Sequence, residues 1–256
     1  MTDKQTGPLL SIGVPVYNAE EYLQATVEAL LGQTFTDFEL IISDNGSTDS
    51  TQQICERFAE TDARVRYFRY EQNQGAAWNF NNTVRLATGT YFKWAAHDDL
   101  HEPEFLACCV EALQNDPTIS LAFTGTVFID AEDRELREYP YPIDPYNEPL
   151  EHRFRHFVEG GYIVHEVFGV IRRDLLDQTD LIGGYLGADL VMLGQLALRG
   201  PFYQVDRVLF RHREHDKRSM KNPQGAANMT QWFDARKKGT LFFRAGNGLS
   251  CTRAAF

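Results

Sequence analysis

Two hydrophobic rhythms alternate along the first hundred residues. Apolar runs of strand length occur at Leu9 to Val16, Phe38 to Ser43, Val65 to Tyr70 and Tyr91 to Ala95. Between them, apolar positions recur at helical spacing: Leu23, Val27, Leu30 and Leu31, then Ile54 and Phe58, then Ala76, Phe80 and Val84. Asn18 with Glu21 resembles a capping box and predicts a helix starting just after Asn18, while Ser47 is placed to cap the second helix. The order β-α-β-α-β-α-β predicts an α/β fold built on a mainly parallel sheet.

After residue 100 the rhythm changes. Pro103 opens a predicted helix that turns Phe105, Leu106, Cys109, Val110 and Leu113 inward, and Asp116-Pro117 ends it. A strand is expected over Ser120 to Ile129. The stretch Glu138 to Pro149, with four prolines and three tyrosines, predicts an irregular loop. Val167 to Ile171 reads as a strand, Leu190 to Leu198 as a helix ended by Gly200-Pro201, and Phe202 to Leu209 as a final strand. A chain of 256 residues can bury one substantial core. The expectation is one domain of two halves, 1–100 and 101–220, and a helical C-terminal tail, 221–256. In that tail Trp232, Phe233, Leu241, Phe242 and Phe243 mix with Arg236, Lys237 and Lys238, as in a helix that docks on the protein's own body or at an interface.

Hydrophobic residues at 43% and charged residues at 24% are ordinary globular usage. A net charge of -11 and a pI near 5.1 argue against nucleic acid as a partner, because polyanions select basic surfaces. Cys55, Cys108, Cys109 and Cys251 show no C-x-x-C spacing and read as buried free thiols of a reducing compartment. Met1 to Pro8 lacks a secretion signal, and no apolar run reaches membrane-spanning length. The expected location is cytoplasmic, with peripheral membrane attachment left open.

Ligands of open parallel sheets bind beyond the carboxyl ends of the strands. There stand Val14 to Asn18, Ser43 to Ser47 and His97-Asp98-Asp99. Paired carboxylates after a buried strand are costly to desolvate without a cation, and their oxygens suit Mg²⁺ or Mn²⁺, which can bridge two phosphates. The plainer alternative for Asp98 and Asp99 is a surface turn that caps the helix near Pro103. Asp44 can accept a hydrogen bond from a base imide, and Tyr17 can offer that base an aromatic face. Equally, residues 44–47 form an ordinary turn and Tyr17 a strand-end packing residue. In the basic cluster Arg207, Arg211, Arg213, Lys217 and Arg218, alternation along the last strand leaves Arg213 and His215 as candidates to neutralise phosphates. His165 is either structural or turned toward a second substrate.

Taken together these residues resemble family 2 glycosyltransferases, whose fold is the GT-A type. The resemblance runs from about Leu10 to His215. It includes Val14 to Asn18, Gln33-Thr34-Phe35, Asp44 with Gly46 to Asp49, Asn73-x-Gly75, Asn81, Ala87-x-Gly89-x-Tyr91, Asp98-Asp99, Asp189 and Arg213-x-His215. It implies a Rossmann-like central sheet flanked by helices, a nucleotide-sugar-binding half over 1–100 and an acceptor-binding half over 101–220. It implies that Pro15, Tyr17 and Asp44 hold the base, and that Asp98 and Asp99 contact ribose and metal, with Asp99 the direct ligand. Asp189 would be the general base, and His215 would complete the metal or diphosphate site. The donor would be a UDP-, dTDP- or GDP-sugar, and the acceptor a glycan, a lipid-linked molecule or a small molecule. His97 departs from the pattern, standing where many relatives have the leading acid of a D-x-D motif. Phe80 departs too, standing where arginine is common, with Trp78, Lys93 or Arg85 as candidates to compensate. The Gln-x-x-Arg-Trp signature of processive synthases is absent, which points to single-sugar transfer. The two departures keep a second class open, a nucleotide-sugar-binding module without turnover. A nicotinamide oxidoreductase is disfavoured, because Gly13 stands alone where a G-x-G-x-x-G turn belongs.

Overall fold

Every residue of β1 (Leu10–Val16) and β2 (Phe38–Asp44) is buried, as in central strands of a parallel sheet covered on both faces. The structure is a computed structural model that describes residues 7–141, 148–159, 163–216 and 233. Around those strands the first half adds α1 (Leu23–Leu31), α2 (Thr51–Thr61), β3 (Val65–Arg69), α3 (Ala76–Leu86) and β4 (Tyr91–Trp94). The second half contributes β5 (Leu100–His101), α4 (Phe105–Asn115), β6 (Leu121–Ile129), β7 (Glu135–Glu138) and α5 (Leu150–Glu159). A 3-10 turn over His165–Phe168 leads into β8 (Val170–Arg172), α6 (Arg173–Leu176), α7 (Ala188–Ala197) and β9 (Phe202–Arg213).

The described strands form one sheet in the order β3-β2-β1-β4-β8-β6-β9-β5, with β7 beside β6. β3, β2, β1 and β4 are mutually parallel, β8 runs antiparallel to β4 and to β6, and β9 lies parallel to β6. β2 and β4 lie on opposite sides of β1, so the chain reverses its winding there and opens a crevice at the carboxyl ends of these strands. Alternation divides the core. Leu40 and Ile42 pack with α1, α2 and α4 on one face, whereas Ile41, Phe92 and Trp94 pack with α3, α5 and α7 on the other. Gly13 lets α3 approach β1, since a Cβ there would lie 2.5 Å from the Thr83 hydroxyl oxygen.

Several expectations need correction. No capping box forms: α1 begins at Leu23 after Tyr22. Asn18 adopts a left-handed φ of 49°, tolerated because its short amide bonds locally: its Oδ1 accepts the Thr48 N–H at 2.9 Å. Ser47 does not cap α2, because its hydroxyl accepts the Asn18 N–H at 2.9 Å and the helix starts four residues later, at Thr51. The expected strand at 167–171 is a 3-10 turn followed by the shorter β8. β9 continues four residues past Leu209 to Arg213, because β6 pairs with it through Ile129↔Arg213. The expected loop at 138–149 begins on β7, and residues 142–147 lie outside the described residues. Cys55 and Cys109 are buried free thiols, Cys108 is half-buried, and Cys251 lies outside the described residues. So does the 221–256 tail, apart from Phe233, which packs against the α3, α5 and α7 side of the core. No described helix is long and apolar enough to cross a membrane.

Candidate active site

Turns after β1 and β2 interlock at the crevice. Besides the Asn18 bonds, the Ala19 N–H donates to the Thr51 hydroxyl at 2.8 Å and the Ser50 N–H to the Glu20 carboxylate at 3.0 Å. This lattice fixes Asp44, the last residue of β2. Its carboxylate is fully buried, accepting the Ser47 N–H and the Tyr67 hydroxyl, both at 2.8 Å. Arg69 Nε stands 3.7 Å away. Burial, reinforced by the bond to Asp44, pushes the Tyr67 phenol up. Pro15 is buried beside Ser43 in the register of β1 and β2, whereas Tyr17 is 45% exposed at the mouth.

The amino end of α3 is bound to the same edge. Asn79 donates to the Val16 and Ser43 carbonyls at 3.2 and 2.9 Å, and Asn82 to the Ser43 and Tyr70 hydroxyls at 3.1 and 2.8 Å. Phe80 turns toward Trp94, and Trp78 stacks edge-on against Tyr70. Neither cation suggested as a replacement at this position reaches it. Lys93 is wholly buried among Phe105 and Phe210, and Arg85 is exposed in the last turn of α3, five residues from Phe80.

The acidic pair is split by its surroundings. Asp99 is 1% exposed; its Oδ1 accepts the Arg213 N–H at 2.9 Å and lies 3.1 Å from His212 Nδ1. Asp98 is the more open of the two, its side chain 15% exposed and its Oδ2 2.9 Å from His215 Nε2. Burial opposes charge on Asp98, but the bond from His215 and the fields of His97, His215 and His212 outweigh it and hold the carboxyl well below its usual range. Arg213, expected to face phosphate, is 1% exposed. Its guanidinium is committed to the carbonyls of Asp98, Asp130 and Ala131 at 2.8, 3.1 and 3.2 Å and to the Asp133 carboxylate. Tyr22 roofs this cluster, its ring 4.8 Å from that of His215 and 4.6 Å from the Arg213 guanidinium carbon.

His165 lies inside the core rather than at an open surface. It is 2% exposed, packed among Phe128, Tyr139 and His212 with ring centroids 4.7 to 5.5 Å away. Asp189 stands in the first turn of α7, whose cap is Gly187 at a left-handed φ of 81°. It is half-buried, and its Oδ1 accepts the Leu190 N–H at 2.9 Å. Burial pushes its carboxyl up, against the pull of the Leu190 and Asp189 N–H groups. Among the described residues no hydrogen bond or ion pair joins Asp189 to Asp44, Asp98 or Asp99. The structure thus brings Asp98, Asp99, Arg213 and His215 together and sets Asp44 and Asp189 on separate supports.

His212, Tyr22, Tyr67 and Asn79 were not picked out in the sequence. For Tyr67 a signal existed: it alternates with Arg69 on β3, so both turn toward the end of β2. His212 gave none while β9 was expected to stop at Leu209.

The family profile described as glycosyl transferase family 2 matches residues 11–179. The chain belongs to glycosyl transferase family 2. Chondroitin synthase of Escherichia coli is 29% identical over 208 residues, 79% of this chain and 28% of that protein. Glycosyltransferase GlyG of Streptococcus pneumoniae is 36% identical over 106 residues, 41% of this chain and 35% of that protein. This chain therefore spans well under half of these relatives. Among solved structures, TarS of S. aureus in complex with UDP-GlcNAc aligns with a TM-score of 0.66 at 17% identity, over 86% of this chain and 62% of that one. Mannosyltransferase PcManGT from Pyrobaculum calidifontis in complex with GDP-Man and Mn²⁺ aligns with a TM-score of 0.61 at 18% identity, over 90% and 65%. At such identities the likeness shows the fold, which is that of the GT-A glycosyltransferases.

Proposed function

We propose that this chain transfers a single sugar per encounter from a nucleoside diphosphate donor to an acceptor hydroxyl, with inversion at the anomeric carbon and with help from Mn²⁺ or Mg²⁺. One observation carries the proposal: Asp98 and His215 form a partly open carboxylate-imidazole pair at the crevice of a family 2 chain. Asp98 Oδ2 and His215 Nε2, paired with each other at 2.9 Å, are the oxygen and imidazole donors that would hold such an ion. Among the described residues no group of three such side chains could hold an ion by itself. When bound, such an ion stabilises the charge of the departing nucleoside diphosphate.

The chain's own residues supply the rest. Tyr17 offers a face to the base above the Asp44 and Pro15 strand ends. Asp99 and Arg213 act as struts: Asp99 ties the β4 turn to the end of β9, and Arg213 holds the Asp98 carbonyl. In this reading Asp98 and His215, not Asp99, face the ion. Asp189 takes the proton from the acceptor hydroxyl, a task suited to a carboxylate made more basic by burial. One base opposite one leaving group gives in-line displacement, hence inversion.

The test is transfer from UDP-, dTDP- and GDP-sugars with and without Mn²⁺, with NMR assignment of the product's anomeric configuration. Asp189→Asn is expected to bind donor but not transfer. Donor binding without turnover on any acceptor would instead mark a binding module, and retained turnover in the variant would remove Asp189 from the role of base.

A further inference from the structure

At the sheet edge opposite the crevice, where β6 and β9 begin, lies a cavity of about 510 Å³. Arg153 of α5, Arg172 at the end of β8 and Arg199 after α7 all line it, with Thr118 and Asp174. Arg172 spends Nε and Nη2 on the carbonyls of Ile119 and Asp116, at 2.7 and 3.0 Å. Arg199 bonds the carbonyls of Gln195 and Gln178 at 2.5 and 2.6 Å. Carbonyls orient these cations without neutralising them. None of the three has a carboxylate ion-pair partner among the described residues. Arg153 goes further: its Nε and Nη1 are shielded from solvent and meet no hydrogen-bond partner among the described residues. Shielded donors without acceptors are costly, so they mark a place where an acceptor belongs.

We propose that this cavity binds a phosphate monoester group, either free or carried on a lipid headgroup. Three guanidinium groups against Asp174 leave two positive charges unbalanced, matching the roughly -1.5 to -2 that such a group carries near pH 7. Guanidinium forks fit its oxygens, and the volume leaves space for whatever bears the phosphate. The site is independent of the transfer chemistry at the other edge.

Calorimetric titration of the full chain with inorganic phosphate at low salt, and co-sedimentation with phosphatidic acid vesicles against phosphatidylcholine vesicles, test it. The informative variant is Arg153→Gln, which removes a side chain with no hydrogen-bond partner among the described residues and is expected to melt like the parent. Arg155→Gln, on the same helix but not on the cavity wall, controls for charge. Binding of either phosphate probe, weakened about tenfold or more by R153Q and unchanged by R155Q, supports the site. Phosphate alone identifies a soluble source and phosphatidic acid alone a lipid one. Failure of the parent to bind either probe, or equal weakening in both variants, overturns the proposal.

Discussion

The side-chain amide of Asn81 exchanges two hydrogen bonds with the backbone of Ile182, at 2.9 and 3.0 Å, across 101 residues. These bonds tie the segment leading into α7 to α3, and so connect the helix that bears Asp189 to the edge that bears Asp44. Asn81→Ala is expected to lower stability by about 1–2 kcal/mol and to reduce kcat about tenfold with little change in donor KM. Urea denaturation and steady-state kinetics check both. A fall in donor affinity at constant kcat would show that the tie serves the donor rather than the base.

Asp98 and Asp99 are neighbours that differ in burial, their side chains 15% and 1% exposed, so their amides should fail differently. Asp99→Asn weakens the acceptor for the Arg213 N–H and His212, and a loss of about 2–4 kcal/mol is expected. Asp98→Asn should melt within a few degrees of the parent yet need a far higher Mn²⁺ concentration for activity. Thermal melts and metal titrations separate the two. If D99N shows the metal defect and D98N the melting defect, the assignment of the ion to Asp98 and His215 is wrong.

Much of this was legible in the residues themselves. Central strands buried on both faces produce unbroken apolar runs, so β1, β2 and β4 could be placed to within a residue. The turns could not. Asn18 and Ser47 are good cap residues by local chemistry, but each found a partner about 30 residues away, and propensity carries no record of such pairings. The crevice could be located because strand ends are predictable. The different surroundings of Asp98 and Asp99 could not, because they depend on β9 running on to Arg213. That extension is set by pairing with β6.

Glu166 is 3% exposed in the 3-10 turn, and burial pushes its carboxyl up to about 7. The folded state therefore holds a proton that the unfolded chain releases near the ordinary glutamate value. Its contribution to stability is complete below about pH 4.3 and is lost as pH rises through about 7, a change on the order of 3 kcal/mol. Glu166→Gln cannot ionise and should flatten this part of the profile. Denaturant midpoints at pH 5 and pH 7.5 for both proteins decide it, and equal slopes would mean that Glu166 ionises freely in the fold.

Lys93 reverses the sign. It is wholly buried on β4, its Nζ donating to the Trp94 carbonyl at 3.1 Å and to that of Phe168, and burial lowers its ammonium to about 7 despite the fields of Cys109 and Asp99. Here the unfolded chain binds the proton more tightly. The contribution to stability is complete above the ordinary lysine value of about 10.4 and is lost as pH falls through about 7, again by several kcal/mol. Lys93→Met keeps the apolar stem against Phe105 and Phe210 and removes the titrating group, so it should abolish the gain between pH 7 and 10. The two carbonyls left without a donor cost about 1–3 kcal/mol each, an offset that does not change with pH. A K93M protein that keeps the parent's alkaline slope would show that the ammonium stays charged inside the core.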